Sequence, residues 1–227
     1  MPNVRVIKIV FDTELKTYEV PAFRGAIIDV VGREHVVFHN HIGDDQFHYK
    51  YPVIQYKTEG KKASIVCIKD GVDEIHHFFQ NNTGKILIHG QPRSINVDSI
   101  KINKFELQVW DTHFRYYLKK WIPANSENYL KFQKIEGLSK QIQFLENILI
   151  GNILSMAKGL DWMVDKPIEV EITSIKNQFW TKMKKTNMMA FDIYFKTNVF
   201  LPFDIGLGKG SSMGFGTICK QLENKKL

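Results

Sequence analysis

Cysteine is scarce: Cys67 and Cys219 are the only two in 227 residues, and neither stands in a CxxC or Cys/His spacing. That excludes a disulfide framework and a thiolate zinc finger, and both thiols are expected to be reduced and buried. Long apolar runs are missing too. A run such as Ile148 to Leu154, interrupted by Gly151 and Asn152, falls well short of the roughly 20 residues that span a bilayer, so no membrane partner is expected. The opening MPNVRVIKIVFD mixes charges with its apolar residues and offers no cleavage site, which points to the cytoplasm. No disordered tail is required, because 44% of the residues are hydrophobic and 24% are charged, the balance of a folded globular chain.

Acidic residues are in deficit. The formal net charge of +7 points to an anionic partner, although charge by itself speaks to non-specific binding rather than to fold. The excess is lopsided: residues 1–103 hold 13 Lys and Arg against 12 Asp and Glu, whereas residues 104–227 hold 18 against 12. The second half is therefore read as the main electrostatic surface and the first as the chemical one.

Two stretches carry chemistry. In FHNHIGDDQFHYKYPVIQYK, residues 38–57, His39 and His41 are separated only by Asn40. On extended backbone both rings would leave one face with their Cα atoms about 6.6 Å apart. Such a pair can reach opposite oxygens of one phosphodiester, and an unperturbed pKa of about 6.5 lets one ring take a proton while the other gives one. Two histidines in a partly exposed loop are the plainer alternative. A metal-dependent phosphoesterase is the third, but an Asp two residues after the second histidine is replaced by Gly43, and His76, His77 and His89 offer no matching spacing, so no metal and no cofactor is expected. His76 and His77 are expected on the exposed side of a helix, and His113 in a polar turn. The second stretch, residues 206–216, holds five glycines in eleven residues with Lys209, Ser211 and Ser212 among them. Glycine at that density lets backbone N–H groups turn toward a phosphate chain. It is not a Walker loop, since the spacer before GKGS is absent, and a plain connection is the alternative. Basic residues also interleave with aromatics in Phe114 to Trp121 and Phe179 to Lys185, a pattern that can bind phosphates and stack bases.

The hydrophobic patterning predicts a strand over Val4 to Asp12, a helix from Val20 to Val31, and strands Tyr51 to Tyr56 and Ala63 to Lys69 joined by the five-residue loop Thr58 to Lys62. A helix over Val72 to Asn81 and a strand over Lys85 to His89 follow. Strand, helix, strand, strand, helix, strand is the split βαβ order. From Ile102 the order begins again, with Phe105 to Trp110 and Tyr116 to Trp121 as two strands or one long one. Leu138, Ile142, Leu145, Leu149, Ile153 and Met156 place a helix over Leu138 to Lys158, stopped by Gly159. Strands Ile168 to Ile175, Gln178 to Lys184, Ala190 to Leu201 and Phe215 to Lys220 complete the chain, with a hairpin over Lys185 to Asn187. The expected class is α+β: two tandem ferredoxin-like (βαββαβ) domains, 1–103 and 104–227.

Together, FRGAI, HNH and FHYKYPVIQYK near one end and IGLGKGSSMGFGTI near the other resemble the CRISPR-associated endoribonucleases of the RAMP superfamily, which cut repeat sequences in CRISPR transcripts to make guide RNAs. The resemblance implies two ferredoxin-like domains, a cleavage site of His39, His41 and Tyr49, and a glycine-rich loop beside RNA. A lysine that this branch carries shortly before the histidines is absent, Arg33 being the nearest basic residue, and His48 is the alternative to Tyr49. The implied reaction is metal-independent attack of a 2′-hydroxyl, giving a 2′,3′-cyclic phosphate and a 5′-hydroxyl. RNA contacts are expected from Arg24, Arg33, Lys50, Lys182, Lys184, Lys185, Gly206, Gly208, Lys209, Gly210, Ser211, Ser212, Gly214 and Gly216. CRISPR repeat RNA is the expected partner, with a CRISPR effector complex and a homodimer as further partners that the resemblance admits. A non-catalytic RNA-binding subunit of such a complex is the alternative function.

Overall fold

The computed structural model describes residues 3–39, 41–42, 46–47, 51–123, 126–183 and 186–221, with backbone alone at 41, 42, 46, 47 and 126. The first half contains β1 (Asn3–Glu14), α1 (Val20–Val31), β2 (His41–Ile42), β3 (Gln46–Phe47), β4 (Ile54–Glu59), β5 (Lys62–Ile68), α2 (Asp70–Glu74), α3 (His76–Asn81), β6 (Lys85–Ile88), β7 (Gln91–Ser94) and β8 (Val97–Glu106). The second contains β9 (Val109–Trp121), α4 (Ser126–Gln133), α5 (Leu138–Gly159), β10 (Val170–Met183), β11 (Thr186–Val199) and β12 (Thr217–Lys220).

Each half builds one four-stranded antiparallel sheet, ordered β4-β5-β1-β8 and β10-β11-β9-β12. Numbered within its own half, each sheet places the first strand between the third and the fourth, which is the ferredoxin-like order. The expected fold is thus present twice. In the second half the helix that should join the third and fourth strands is missing; the glycine-rich segment, with a single 3₁₀ turn at Ser211–Met213, stands in its place.

Alternation along β1 explains how the halves join. Ile9 and Phe11 belong to one core with Phe23 and Ile27 of α1 and Phe78 of α3. Val4 and Val6 belong instead to a core shared with Leu118, Leu149, Phe195 and Ile218 of the second half. Strand β5 divides in the same way, Ile65 and Cys67 to one side and Val66 and Ile68 to the other. The first sheet is therefore covered on both faces, which is why KASIVCI reads as a continuous apolar run.

Several local expectations are corrected. The β4–β5 hairpin turns in two residues, Gly60 and Lys61, both at positive φ, which a twisted two-residue hairpin requires. The expected helix over Val72 to Asn81 is two short helices meeting at Ile75. Lys85–Ile88 does not enter the main sheet but pairs with Gln91–Ser94 through the positive-φ pair His89 and Gly90. The fourth strand is β8, which pairs with β1 as far as Glu106, across the expected division at 103. His113 lies inside β9 rather than in a turn, and its Nε2 meets Glu169 Oε2 at 2.9 Å. Strand β10 is continuous where two strands were expected, its register shifting between Ile172 and Ser174 and between Ile175 and Asn177. Cys219 is only half-buried. Among the described residues no helix is long and apolar enough to cross a membrane.

Candidate functional site

His39 closes the 3₁₀ turn Val36–Phe38 that follows α1, with φ −128° and ψ −4°. Its backbone is not extended, so the strand geometry expected for the histidine pair does not apply; only His41 lies on a strand, where it pairs with Phe47. The loop is held from beneath instead. Arg24 Nη2 donates to the His39 carbonyl at 2.5 Å, and the Tyr56 hydroxyl donates to the Phe38 carbonyl at 3.1 Å. Burial holds the Arg24 guanidinium below its ordinary pKa, against the opposing pull of Tyr56. The His39 ring faces the Arg33 carbonyl, with Nε2 at 2.8 Å. A carbonyl can only accept, so Nε2 carries the proton, and in the neutral ring Nδ1 is the basic nitrogen. The side chain of His41 and all of Tyr49, His48 and Lys50 lie outside the described residues.

The two sequence stretches meet. Of YPVIQYK, Tyr51 and Gln55 reach the glycine-rich segment and Lys57 reaches Thr217, which follows it. The Tyr51 hydroxyl donates to the Gly206 carbonyl at 2.9 Å, and the Gly206 N–H donates to Gln55 Oε1 at 2.8 Å. Gln55 Nε2 in turn donates to the Tyr51 hydroxyl at 3.0 Å. Lys57 Nζ donates to Thr217 Oγ1 at 3.2 Å. Met213, from the turn in the glycine segment, packs against the core of the first half. The glycines serve this close fit. Gly216 (φ +60°) lies so near the Leu207 carbonyl that a Cβ would overlap it, and a Cβ on Gly206 would come within 2.8 Å of Ser211. Gly208, Gly210 and Gly214 also have positive φ. Lys209 is exposed, Ser212 half-buried and Ser211 buried.

Beside this joint lies a cavity of about 170 Å³, lined by Lys8, Lys57, Lys119, Lys120, Glu59 and Asp204 with Gly214 and Thr217. It is less positive than four lysines suggest. Lys8 is bound by Glu59 at 2.6 Å and Asp204 at 2.9 Å. Burial opposes its charge, but the hydrogen bonds that Lys8 donates to these two carboxylates hold its pKa above the ordinary value. Burial pulls Lys57 down to about 7, the charge of Asp204 only partly opposing it. Lys119 and Lys120 supply the rest. Farther off, Lys182 is exposed on β10, Arg33 is exposed beside the histidine loop, and Lys184 and Lys185 lie outside the described residues. Next to Lys182 on the hairpin, Trp180 is 57% exposed and meets Tyr129 of α4 edge to face at 5.3 Å, at the mouth of an aromatic cavity of about 210 Å³.

Sequence reasoning did not find three features: the anchoring of the loop by Arg24 and Tyr56, the joint made by Tyr51, Gln55 and Lys57, and the proximity of His35, Glu74 and His77. The joint had a signal. Gln55 and Lys57 are polar residues alternating with Ile54 and Tyr56, and all four are buried, a pattern that demands buried hydrogen-bond partners.

Known proteins agree with this architecture. The family model of the Cas6b N-terminal domain matches residues 2–106, and that of the Cas6b C-terminal domain matches residues 108–221. An uncharacterized protein of Methanocaldococcus jannaschii is 31% identical over 121 residues, covering 53% of this chain and 81% of that protein. A crystal structure of Cas6b superposes with a TM-score of 0.87 at 26% identity, covering 97% of this chain and 100% of the other. A second, of a CRISPR RNA processing endoribonuclease Cas6b, gives 0.72 at 24% identity with the same coverage. Matched over nearly its whole length by the two domain models, the chain belongs to the Cas6b family.

Proposed function

We propose that this protein is an endoribonuclease that cuts CRISPR repeat RNA in precursor transcripts, by attack of the RNA's own 2′-hydroxyl and without a metal. The observation that carries the reading is the anchored His39, two residues before His41, in a chain of the Cas6b family. One imidazole removes the 2′-hydroxyl proton and the other protonates the departing 5′-oxygen, leaving a 2′,3′-cyclic phosphate and a 5′-hydroxyl. Tyr49 or the neighbouring His48 stabilises the phosphorane. The first domain supplies the chemistry. Lys119, Lys120, Lys182, Lys184, Lys185 and Lys209 of the second meet phosphates, and Trp180 offers a stacking face for an unpaired base.

Repeat RNA with a single 2′-deoxynucleotide at the cut site should bind normally and resist cleavage, while EDTA should leave all-ribose RNA fully cleavable. Cutting of the deoxy substrate, or recovery of cleavage only on adding a divalent ion, would overturn the reading.

A further inference from the structure

We propose that His35, Glu74 and His77 form a binding site for a divalent transition-metal ion, Zn²⁺ by its donor set, that clamps the histidine loop to the α2–α3 break. The three residues come from separate places: His35 precedes the 3₁₀ turn that His39 closes, Glu74 ends α2, and His77 is the second residue of α3. One ligand atom from each lies within 4.8 Å of the others, and all three side chains are half-buried. The His35 and His77 ring centroids stand 3.8 Å apart, and His77 Nε2 lies 3.7 Å from Glu74 Oε2.

Two imidazoles so close would repel each other if both were protonated. A neutral imidazole keeps a lone pair on one ring nitrogen, which a cation can take. A four-coordinate zinc holds nitrogen at about 2.0–2.1 Å and carboxylate oxygen at about 2.0–2.2 Å. Ligand atoms around such an ion stand within roughly 4 Å of one another, so small side-chain rotations would close the site, with water as fourth ligand. Two imidazoles and one carboxylate select zinc or a similar ion over Mg²⁺, which takes oxygen ligands. Glu74 and His77, three residues apart across Ile75 (φ −63°, ψ −17°), lie side by side as they would on a helix. The role is structural. His35 lies four residues before His39, so the ion would fasten one end of the loop that Arg24 and Tyr56 fasten at the other.

The test does not depend on RNA. Untagged, metal-stripped full-length protein is titrated with Co²⁺. One equivalent should produce the visible bands of four-coordinate cobalt, and Zn²⁺ should displace them. Glu74→Gln and His77→Ala should weaken binding by at least about 10-fold, whereas His89→Ala, in the turn of the β6–β7 hairpin and not one of the three ligands, should not. Zn²⁺ should raise the melting temperature of the wild type and not of His77→Ala. Equal titration of wild type and both variants, or only the pale spectrum of hydrated cobalt, would overturn the proposal. Neither result bears on cleavage, which the 2′-deoxy substrate decides separately. Stripped protein well below its melting temperature should still cut RNA.

Discussion

A histidine becomes useful when its protons are placed, and at His39 the Arg33 carbonyl places one of them. His39→Ala and His41→Ala should each slow single-turnover cleavage by about 100-fold or more while leaving RNA affinity unchanged; wild-type rates in both variants would remove them from the chemistry. Lys57 allows a prediction about stability. Its folded pKa of about 7 lies below the roughly 10.4 of a free lysine. Between these values the unfolded chain binds a proton that the folded chain lacks, so stability rises with pH across that range. Above pH 9 the raised pKa values of Cys67 and Cys219, groups that ionise first in the unfolded chain, begin to act the other way. Wild-type stability in urea should therefore climb from pH 7 to 9, and Lys57→Met should flatten that climb and melt higher near pH 7. The histidine pair could be singled out in the sequence because its spacing is local, although the extended backbone expected for it is not what His39 adopts. Its anchors were not, since Arg24 and Tyr56 are 15 and 18 residues from the carbonyls they hold, and no periodicity signals such a contact.

At the scale of elements, strands and helices with strong periodicity could be read from the chain, and α1 and α5 stand within a residue of their expected bounds. Pairing was harder. KILI of β6 has a burial alternation suited to a sheet edge, yet β8, with its mixed polar pattern, takes that place because its backbone reaches β1 along its whole length. The glycine-rich segment was legible as special but open in meaning. Its glycines fit the chain to itself, which is a distinct claim from contact with RNA and has its own test. Gly216→Ala must displace the Leu207 carbonyl, whereas a Cβ on Gly214 would meet the Tyr56 carbonyl at an ordinary 3.6 Å. Gly214→Ala should then lose only the roughly 1–2 kcal/mol of a left-handed backbone position, and Gly216→Ala distinctly more, as measured by urea denaturation. Equal losses would mean that the packing around Gly216 is looser than the structure has it.

Across the whole molecule, the two halves share a core and a buried hydrogen-bond chain from Gln55 through Tyr51 to Gly206. Gln55→Leu strands the Gly206 N–H and takes a donor from the Tyr51 hydroxyl, a loss of about 1–3 kcal/mol for each group left buried without a partner. Unfolding followed separately by the tryptophans, all of which lie in the second half, and by amide exchange in β1 and β5 should coincide in the wild type and separate in this variant. Coincident transitions in Gln55→Leu would show that the shared apolar core alone couples the halves. The joint also sets a direction in time. Strand β12 closes the second sheet against β9, and the segment before it is also seated on β4, which leaves the ribosome long before that segment does. The N-terminal domain can therefore fold first and offer a seat to the segment that precedes the last strand, while a second half made alone would keep the pairing of β12 with β9 but lose the hydrogen bonds that join that segment and Thr217 to Gln55, Tyr51 and Lys57.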